Sequence, residues 1–188
     1  MSSPVSALQG ASHKGAVEIA ETGLRGMITL RGDFADADFA KAIKSVLGAA
    51  LPGQREVTSG KAGLLIWMSP DEMLAVVDYA AAPALSAEVS AKLAGKHHLA
   101  QVVSDARAVF SLKGQGAREV LAKGAPVDLA PAAFAPGHVR RTRLGQVAVA
   151  FWMTAEDEME IVCFRSVAAF VFEWLKTAAA KDTLPEYF

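Results

Sequence analysis

The sequence predicts an α+β fold built from two repeated units of antiparallel strands with helices packed on one face. Three observations carry this expectation. Trp67-Met68-Ser69-Pro70-Asp71-Glu72-Met73 is echoed by Trp152-Met153-Thr154-Ala155-Glu156-Asp157-Glu158-Met159, with the tryptophans 85 residues apart. Leu30-Arg31-Gly32 is echoed by Leu112-Lys113-Gly114, 82 residues on. Two unlike motifs sharing nearly one offset imply a duplication, and the period is far too long for a solenoid. The third observation is the order of elements. It reads strand-helix-strand-strand-helix-strand, then strand-helix-strand-strand-strand-helix, and each unit has the form of a ferredoxin-like split βαβ.

Residues 1–22 are polar, with Gly10 and Gly15, and read as a flexible N-terminal arm. The first α+β unit follows over residues 23–104. Gly26 to Arg31 alternates as a strand. Asp33 or Asp36 caps a helix over Ala37 to Gly48, with Phe39, Ile43 and Leu47 on one stripe. Gly48 stops it and Pro52-Gly53 marks a loop. Leu64 to Met68 and Met73 to Val77 are apolar runs around the turn Ser69-Pro70-Asp71-Glu72, a hairpin. Pro83 opens an Ala-rich helix that Gly95 ends. Leu99 to Val103 is a strand, broken at Ser104-Asp105.

The second unit spans 105–180. Arg107 to Leu112 is a strand and Gly114 to Lys123 a helix with Ala117, Val120 and Leu121 inward. Pro126, Pro131 and Pro136 leave 125–137 without regular structure. Val139 to Leu144, Val147 to Met153 and Met159 to Cys163 read as three antiparallel strands. Ser166 is an N-cap candidate for a last helix, Val167 to Ala180, with Phe170, Val171, Trp174 and Leu175 as its stripe. Residues 181–188 are a C-terminal tail. With no linker between the units, they are expected to share a core as one domain.

Composition bounds the function. Of 188 residues, 52% are apolar, ample for a core; the 19 Lys and Arg nearly balance the 20 Asp and Glu. That balance gives no reason to expect nucleic acid or an anionic membrane as partner. The single cysteine, Cys163, excludes a disulfide within the chain. No apolar run reaches the roughly 18 residues of a membrane span, and the N-terminus lacks a secretory h-region. The expectation is a cytoplasmic protein.

One set of residues resembles a known family. Leu30-Arg31-Gly32-Asp33 and Trp67 to Glu72 belong to it, as do Val103-Ser104-Asp105-Ala106-Arg107 and Leu112-Lys113-Gly114. So do Ala117-Arg118-Glu119-Val120-Leu121, Lys123-Gly124, Pro126-Val127-Asp128-Leu129, Phe134-Ala135-Pro136-Gly137 and Arg165-Ser166. Their joint order resembles the gamma subunits of heterotetrameric sarcosine oxidases over roughly residues 24–180. More remotely, the second half is similar to the N-terminal region of glycine-cleavage aminomethyltransferases and their folate-binding relatives. The resemblance implies a non-catalytic structural subunit of a complex that demethylates sarcosine oxidatively to glycine. It implies alpha, beta and delta subunits as partners, with flavins, NAD and zinc in those subunits and none in this chain. Tetrahydrofolate would belong to the complex. Self-association is an option for the isolated chain. The alternative is a folate-dependent aminomethyltransferase-like enzyme or a folate-binding module. Against the enzyme, the turn that in the transferases precedes a catalytic aspartate reads Leu144-Gly145-Gln146-Val147-Ala148-Val149 here, with no acid. Lys123-Gly124 is followed by Ala125, where a related folate signature has cysteine.

The sequence offers no catalytic residues and no metal set, only candidate contacts for a partner or ligand. Ser104, Asp105 and Arg107 lie at the junction of the units, where an Asp–Arg pair orients a loop or merely caps it. Arg141 and Arg143 share one strand face, either solvated or facing an acidic patch. Arg165 follows the last strand. Tyr187 and Phe188 sit outside any helix stripe, as partner anchors or folded back near Trp174. Gly114-Gln115-Gly116 opens a helix after a strand, yet Glu119 stands where a dinucleotide fingerprint needs glycine. Adjacent His97 and His98 would point to opposite strand faces and are poorly placed to chelate one metal. Cys163 reads as an inert buried thiol.

Overall fold

The computed structural model describes residues 3–188, so residues 1 and 2 of the expected arm lie outside the described residues. The chain divides into two compact units. One is discontinuous, formed by the residues up to 24 together with 105–188. The other is inserted in it and spans 25–104.

The first elements correct the sequence reading. Residues 12–14 and 18–21 are not a flexible arm but strands β1 (Ser12–Lys14) and β2 (Glu18–Glu21). They are held by distant residues: β2 pairs antiparallel with β8 (Arg107–Lys113), Ile19 opposite Leu112. Val17 and Ile19 are buried, 2% and 1% exposed. Two apolar side chains in a polar stretch are too few for a period-2 signal, so tertiary pairing decides the conformation.

The inserted unit contains β3 (Gly26–Arg31), α1 (Ala37–Leu47), β4 (Val57–Gly60), β5 (Gly63–Ser69), β6 (Glu72–Val77), α2 (Ala82–Lys92) and β7 (Leu99–Val102). Its sheet has the order β4-β5-β6-β3-β7 with antiparallel neighbours. Helix α1 forms where expected. The Asp36 side chain accepts from the Asp38 amide, and Gly48 closes the helix in the left-handed conformation that suits glycine. Phe39, Ile43 and Leu47 face a cluster with Ile28, Leu30, Leu65 and Met73. The opposite face of this sheet, with Met27, Ile66, Met68, Leu74 and Val76, is also buried. Burial on both faces is why β5 and β6 read as continuous apolar runs rather than alternating ones. Strand β4 was not apparent in the sequence, because Val57-Thr58-Ser59-Gly60 holds one strongly apolar residue.

The discontinuous unit continues with β8, α3 (Ala117–Ala122), β9 (Val139–Leu144), β10 (Val147–Ala155), β11 (Glu158–Phe164) and α4 (Ala168–Ala178). Its sheet order is β1-β2-β8-β11-β10-β9. Phe110, Leu112, Phe151, Met153 and Ile161 form one cluster with Val120, Leu121, Val171 and Leu175 from the helices. Two details of α4 differ from expectation. A 3-10 turn, Arg165–Val167, precedes it, and Ser166 does not cap it. Its buried stripe includes Phe172, while Phe170 is 46% exposed. The buried face is thus centred about one residue further along, on Val171, Phe172, Leu175 and Ala178.

The duplication is visible in the pairing. In one unit β3 lies between β6 and β7; in the other β8 lies between β11 and β2. Arg31 opposes Glu72 as Lys113 opposes Glu158, and Leu30 opposes Met73 as Leu112 opposes Met159. Both hairpins also carry a bulge, between Trp67 and Ser69 and between Met153 and Ala155. Because Met73 follows Trp67 by six positions and Met159 follows Trp152 by seven, the true correspondence lies one residue away from the tryptophan echo. Trp67 pairs with Met73, and it is Met153 that pairs with Met159. Trp152 instead matches Ile66 and points to the other sheet face, since a shift of one residue reverses the side chain.

Candidate functional site

The polar chemistry of the discontinuous unit gathers at α3. Gly114 turns the chain out of β8 at φ 131°, and its amide donates to the Asp157 carbonyl at 2.9 Å. The helix that follows has six residues and buries two charged side chains back to back in sequence, Arg118 and Glu119, 6% and 5% exposed. Arg118 Nη1 donates to the carbonyls of Leu129 (2.8 Å) and Phe134 (2.6 Å). Its Nη2 reaches Met153 Sδ (3.3 Å) and Glu156 Oε1 (3.0 Å). The guanidinium thus replaces the backbone ladder that the proline-rich stretch 125–137 cannot form. Glu119 Oε1 accepts from the amides of Tyr187 (2.5 Å) and Phe188 (2.8 Å), while Oε2 is buried without a donor.

The Gly114-Gln115-Gly116 turn is covered rather than open. A Cβ on Gly116 would lie 2.4 Å from Leu184 Cδ1. A buried carboxylate in the first helical turn already occupies the electrostatic position an anion would take.

A second buried carboxylate, Glu21, organises the N-terminal segment. It accepts from Ser6 Oγ (2.8 Å), the Leu8 amide (2.9 Å) and the Gly10 amide (2.8 Å). Burial raises its pKa, but the amides of Gly10 and Leu8 and the Ser6 hydroxyl outweigh it and hold the carboxyl below the ordinary value.

The residues singled out in the sequence fall in separate places. Ser104 is buried in the inserted unit, where its Oγ accepts from the Met27 amide at 3.0 Å and closes the end of β3. Asp105 is exposed in a 3-10 turn, Ser104–Ala106. The Arg107 guanidinium lies 4.2 Å over the Phe164 ring. Arg165 donates to the carbonyls of Val5 (2.8 Å) and Ser6 (3.2 Å), pinning the N-terminal segment. Arg141 and Arg143 are exposed on edge strand β9, opposite Ala150 and Ala148. The Tyr187 and Phe188 amides are tied to Glu119 of α3, and the two residues are 81% and 43% exposed. Trp174 lies over Gly124, whose Cβ would be 2.3 Å from the indole. Glu119, Arg118 and Glu21 were missed as site residues. The signal was available in Arg118-Glu119, two charges beside the inward positions of a short apolar helix.

Cys163 lies in the core on β11. Burial pushes its thiol up to about 12, and the positive charge of Arg107 offsets this only in part. At neutral pH it is a thiol, not a nucleophilic thiolate. Among the described residues no group of three or more His, Cys, Asp or Glu is placed to hold a metal. His97 and His98 precede β7 and border a cleft of about 690 Å³ with Arg31 and Asp71, themselves paired at 2.5 Å. A more apolar groove of about 710 Å³ runs along α4, lined by Phe170, Trp174, Thr177 and Lys123. No described helix is long and apolar enough to cross a membrane.

Two antiparallel sheets, each with helices on one face, define an α+β fold. The fold matches aminomethyltransferase T of the glycine cleavage system from Bartonella henselae, with TM-score 0.58, 18% identity, and coverage of 84% of this chain and 45% of that one. Residues 31–181 match the model of the sarcosine oxidase, gamma subunit family, and the chain belongs to that family. It is 30% identical over 177 residues to the sarcosine oxidase subunit gamma of Corynebacterium sp. strain P-1, covering 93% of this chain and 86% of the relative. A chain of the heterotetrameric sarcosine oxidase from Corynebacterium sp. U-96, in complex with pyrrole 2-carboxylate, matches with TM-score 0.80 and 27% identity over 87% of this chain and 83% of that chain.

Proposed function

We propose that this chain is a non-catalytic assembly subunit of a cytoplasmic heterotetrameric sarcosine oxidase, which demethylates sarcosine oxidatively to glycine. Its partners are the alpha, beta and delta subunits, and flavin, NAD and zinc belong to them. The observation that carries this reading is the match, over most of both chains, to a chain of a heterotetrameric sarcosine oxidase. Three features support it. The turn at Gly145 has no acid, the one thiol is buried and protonated, and the buried charges of α3 are spent on backbone groups of the chain itself. The exposed Arg141 and Arg143 and the exposed pair Tyr187 and Phe188 are the contacts we assign to partners. The likeness to the aminomethyltransferase is one of fold and carries no activity to this chain.

The test is co-expression with the remaining subunits. The chain co-purifies with them in stoichiometric amount, and the isolated chain is colourless and turns over neither sarcosine nor tetrahydrofolate-linked aminomethyl groups. Stoichiometric flavin on the isolated chain, or sarcosine turnover by it, would overturn the reading.

A further inference from the structure

The segment after α4 is built into a shape that serves no apolar burial of its own aromatic side chains. Asp182 and Glu186 both adopt left-handed backbone, φ 62° and 56°, an unfavourable choice for residues with side chains. Between them Leu184 packs against the discontinuous unit's core, over Gly116. Beyond them the Tyr187 and Phe188 amides converge on one oxygen of Glu119. Charge-assisted hydrogen bonds of this kind are among the stronger ones, and two from successive amides fix the local backbone direction. The result is a T-shaped ring pair, centroids 5.2 Å apart, on residues that are 81% and 43% exposed.

Glu119 is a poor choice for stability alone. It is a buried carboxylate, one of its oxygens has no donor, and among the described residues its only donors are the two amides of the aromatic pair. Burying a carboxylate that has no ion-pair partner costs free energy, so an apolar residue of similar volume in its place is neutral or favourable for folding where the two tail amides can turn to water. What the carboxylate does, and an apolar residue cannot, is hold that backbone. Rigid, preorganised aromatics dominate binding at interfaces because little freedom is left to lose on docking.

We infer that Glu119 is a positioning residue for an aromatic anchor, Tyr187–Phe188, which seats in an apolar pocket of a neighbouring subunit. The pocket takes two neutral rings, and the exposed Glu186 beside them matches a basic rim. This inference rests on the assembly reading above and deepens it.

The test uses the full chain co-expressed with the remaining subunits, with the dissociation constant of the chain from the complex and its urea midpoint in isolation measured together. The double variant Tyr187→Ala, Phe188→Ala weakens association roughly 30-fold or more, as loss of a hot spot does, with an unchanged urea midpoint. Glu119→Leu weakens association about tenfold while its midpoint holds or rises. Glu119→Gln keeps an acceptor for both amides and stays within about threefold of the parent chain. Association of the double variant at parent strength would overturn the anchor. Parent strength for Glu119→Leu, or a midpoint that falls in step with its association, would overturn the positioning role. If the parent chain itself fails to co-purify, the assembly reading falls, and this inference with it.

Discussion

Replacing Arg118 by alanine tests the most connected side chain of the discontinuous unit. The guanidinium is 6% exposed and supplies donors to two carbonyls, of Leu129 and Phe134, that have no ladder partner in the proline-rich stretch. Leaving a buried acceptor unmade costs about 1–3 kcal/mol, so the two carbonyls account for roughly 2–6 kcal/mol before relaxation. The Glu156 end contributes little, about 0–1 kcal/mol, because that carboxylate is 67% exposed. Water reaching the loop after truncation recovers part of the loss, which places Arg118→Ala at about 3–5 kcal/mol. Urea unfolding with an m-value near 2 kcal/mol/M turns this into a midpoint lower by roughly 1.5–2.5 M. Trp152 and Trp174 report on this unit and Trp67 on the inserted one, so versions of the chain retaining one tryptophan set assign the transition. Arg118→Lys, with a point donor in place of a fork, falls between the parent and the alanine variant. Glu156→Ala shifts the midpoint by less than 1 kcal/mol equivalent. An Arg118→Ala loss under about 1 kcal/mol, or one equal to that of Glu156→Ala, would refute the view that this residue serves the backbone of 125–137.

Further outcomes follow from single groups. Glu21 has a depressed folded-state pKa, so its contribution is complete above the unfolded value near 4.5 and is lost as pH falls through the folded one. Glu21→Gln therefore lowers stability at pH 7 and flattens the acid-side loss below pH 4.5, read by midpoints across pH 3–7. Cys163, protonated and in the core, stays unreactive to a thiol reagent in native buffer and reacts at once in denaturant; rapid native labelling would contradict the burial. Gly60→Ala is strongly destabilising, by about 2 kcal/mol or more, because its Cβ meets backbone atoms of Leu47, Gly48 and Ala49 at 2.6 Å that cannot swing aside. Thermal melts give that value, and an unchanged melting temperature would count against the packing of β4 on the end of α1.

Elements that carry their own punctuation were readable in the chain. Asp36 and Gly48 bracket α1, and the apolar runs around residues 69–72 mark β5 and β6. What escaped depended on partners far away in sequence. Strands β1 and β2 exist because β8 offers an edge some 90 residues later, and local pattern holds no trace of that. The tryptophan echo identified the right hairpins but the wrong residues. The second motif is one residue longer between its tryptophan and methionine than the first, and one residue is enough to place Trp67 and Trp152 on opposite kinds of face. At the candidate site the exposed rings of Tyr187 and Phe188 were legible as residues without a stripe. Glu119, which fixes where they point, was not, because a buried carboxylate and a solvated one look alike in sequence.

The matching places in the two sheets are filled from different directions along the chain. Beside β3 the position is taken by β7, which comes after α2; beside β8 it is taken by β2, made before the inserted unit begins. The inserted unit closes on itself, since the Met27 carbonyl accepts from the Val103 amide and the Met27 amide donates to Ser104. Its first and last residues are therefore neighbours, and the Thr22 amide bonds the Val109 carbonyl just outside them. This imposes an order on maturation during synthesis. Residues 25–104 hold every strand of their own sheet and can mature as soon as they emerge, whereas β2 must wait for β8. Until the inserted unit is folded, joining β2 to β8 means closing a flexible loop of more than 80 residues; afterwards that entropy has already been removed. Lesions in the core of the inserted unit should consequently slow the maturation of both units, while lesions around α3 and α4 leave the inserted one to fold on schedule.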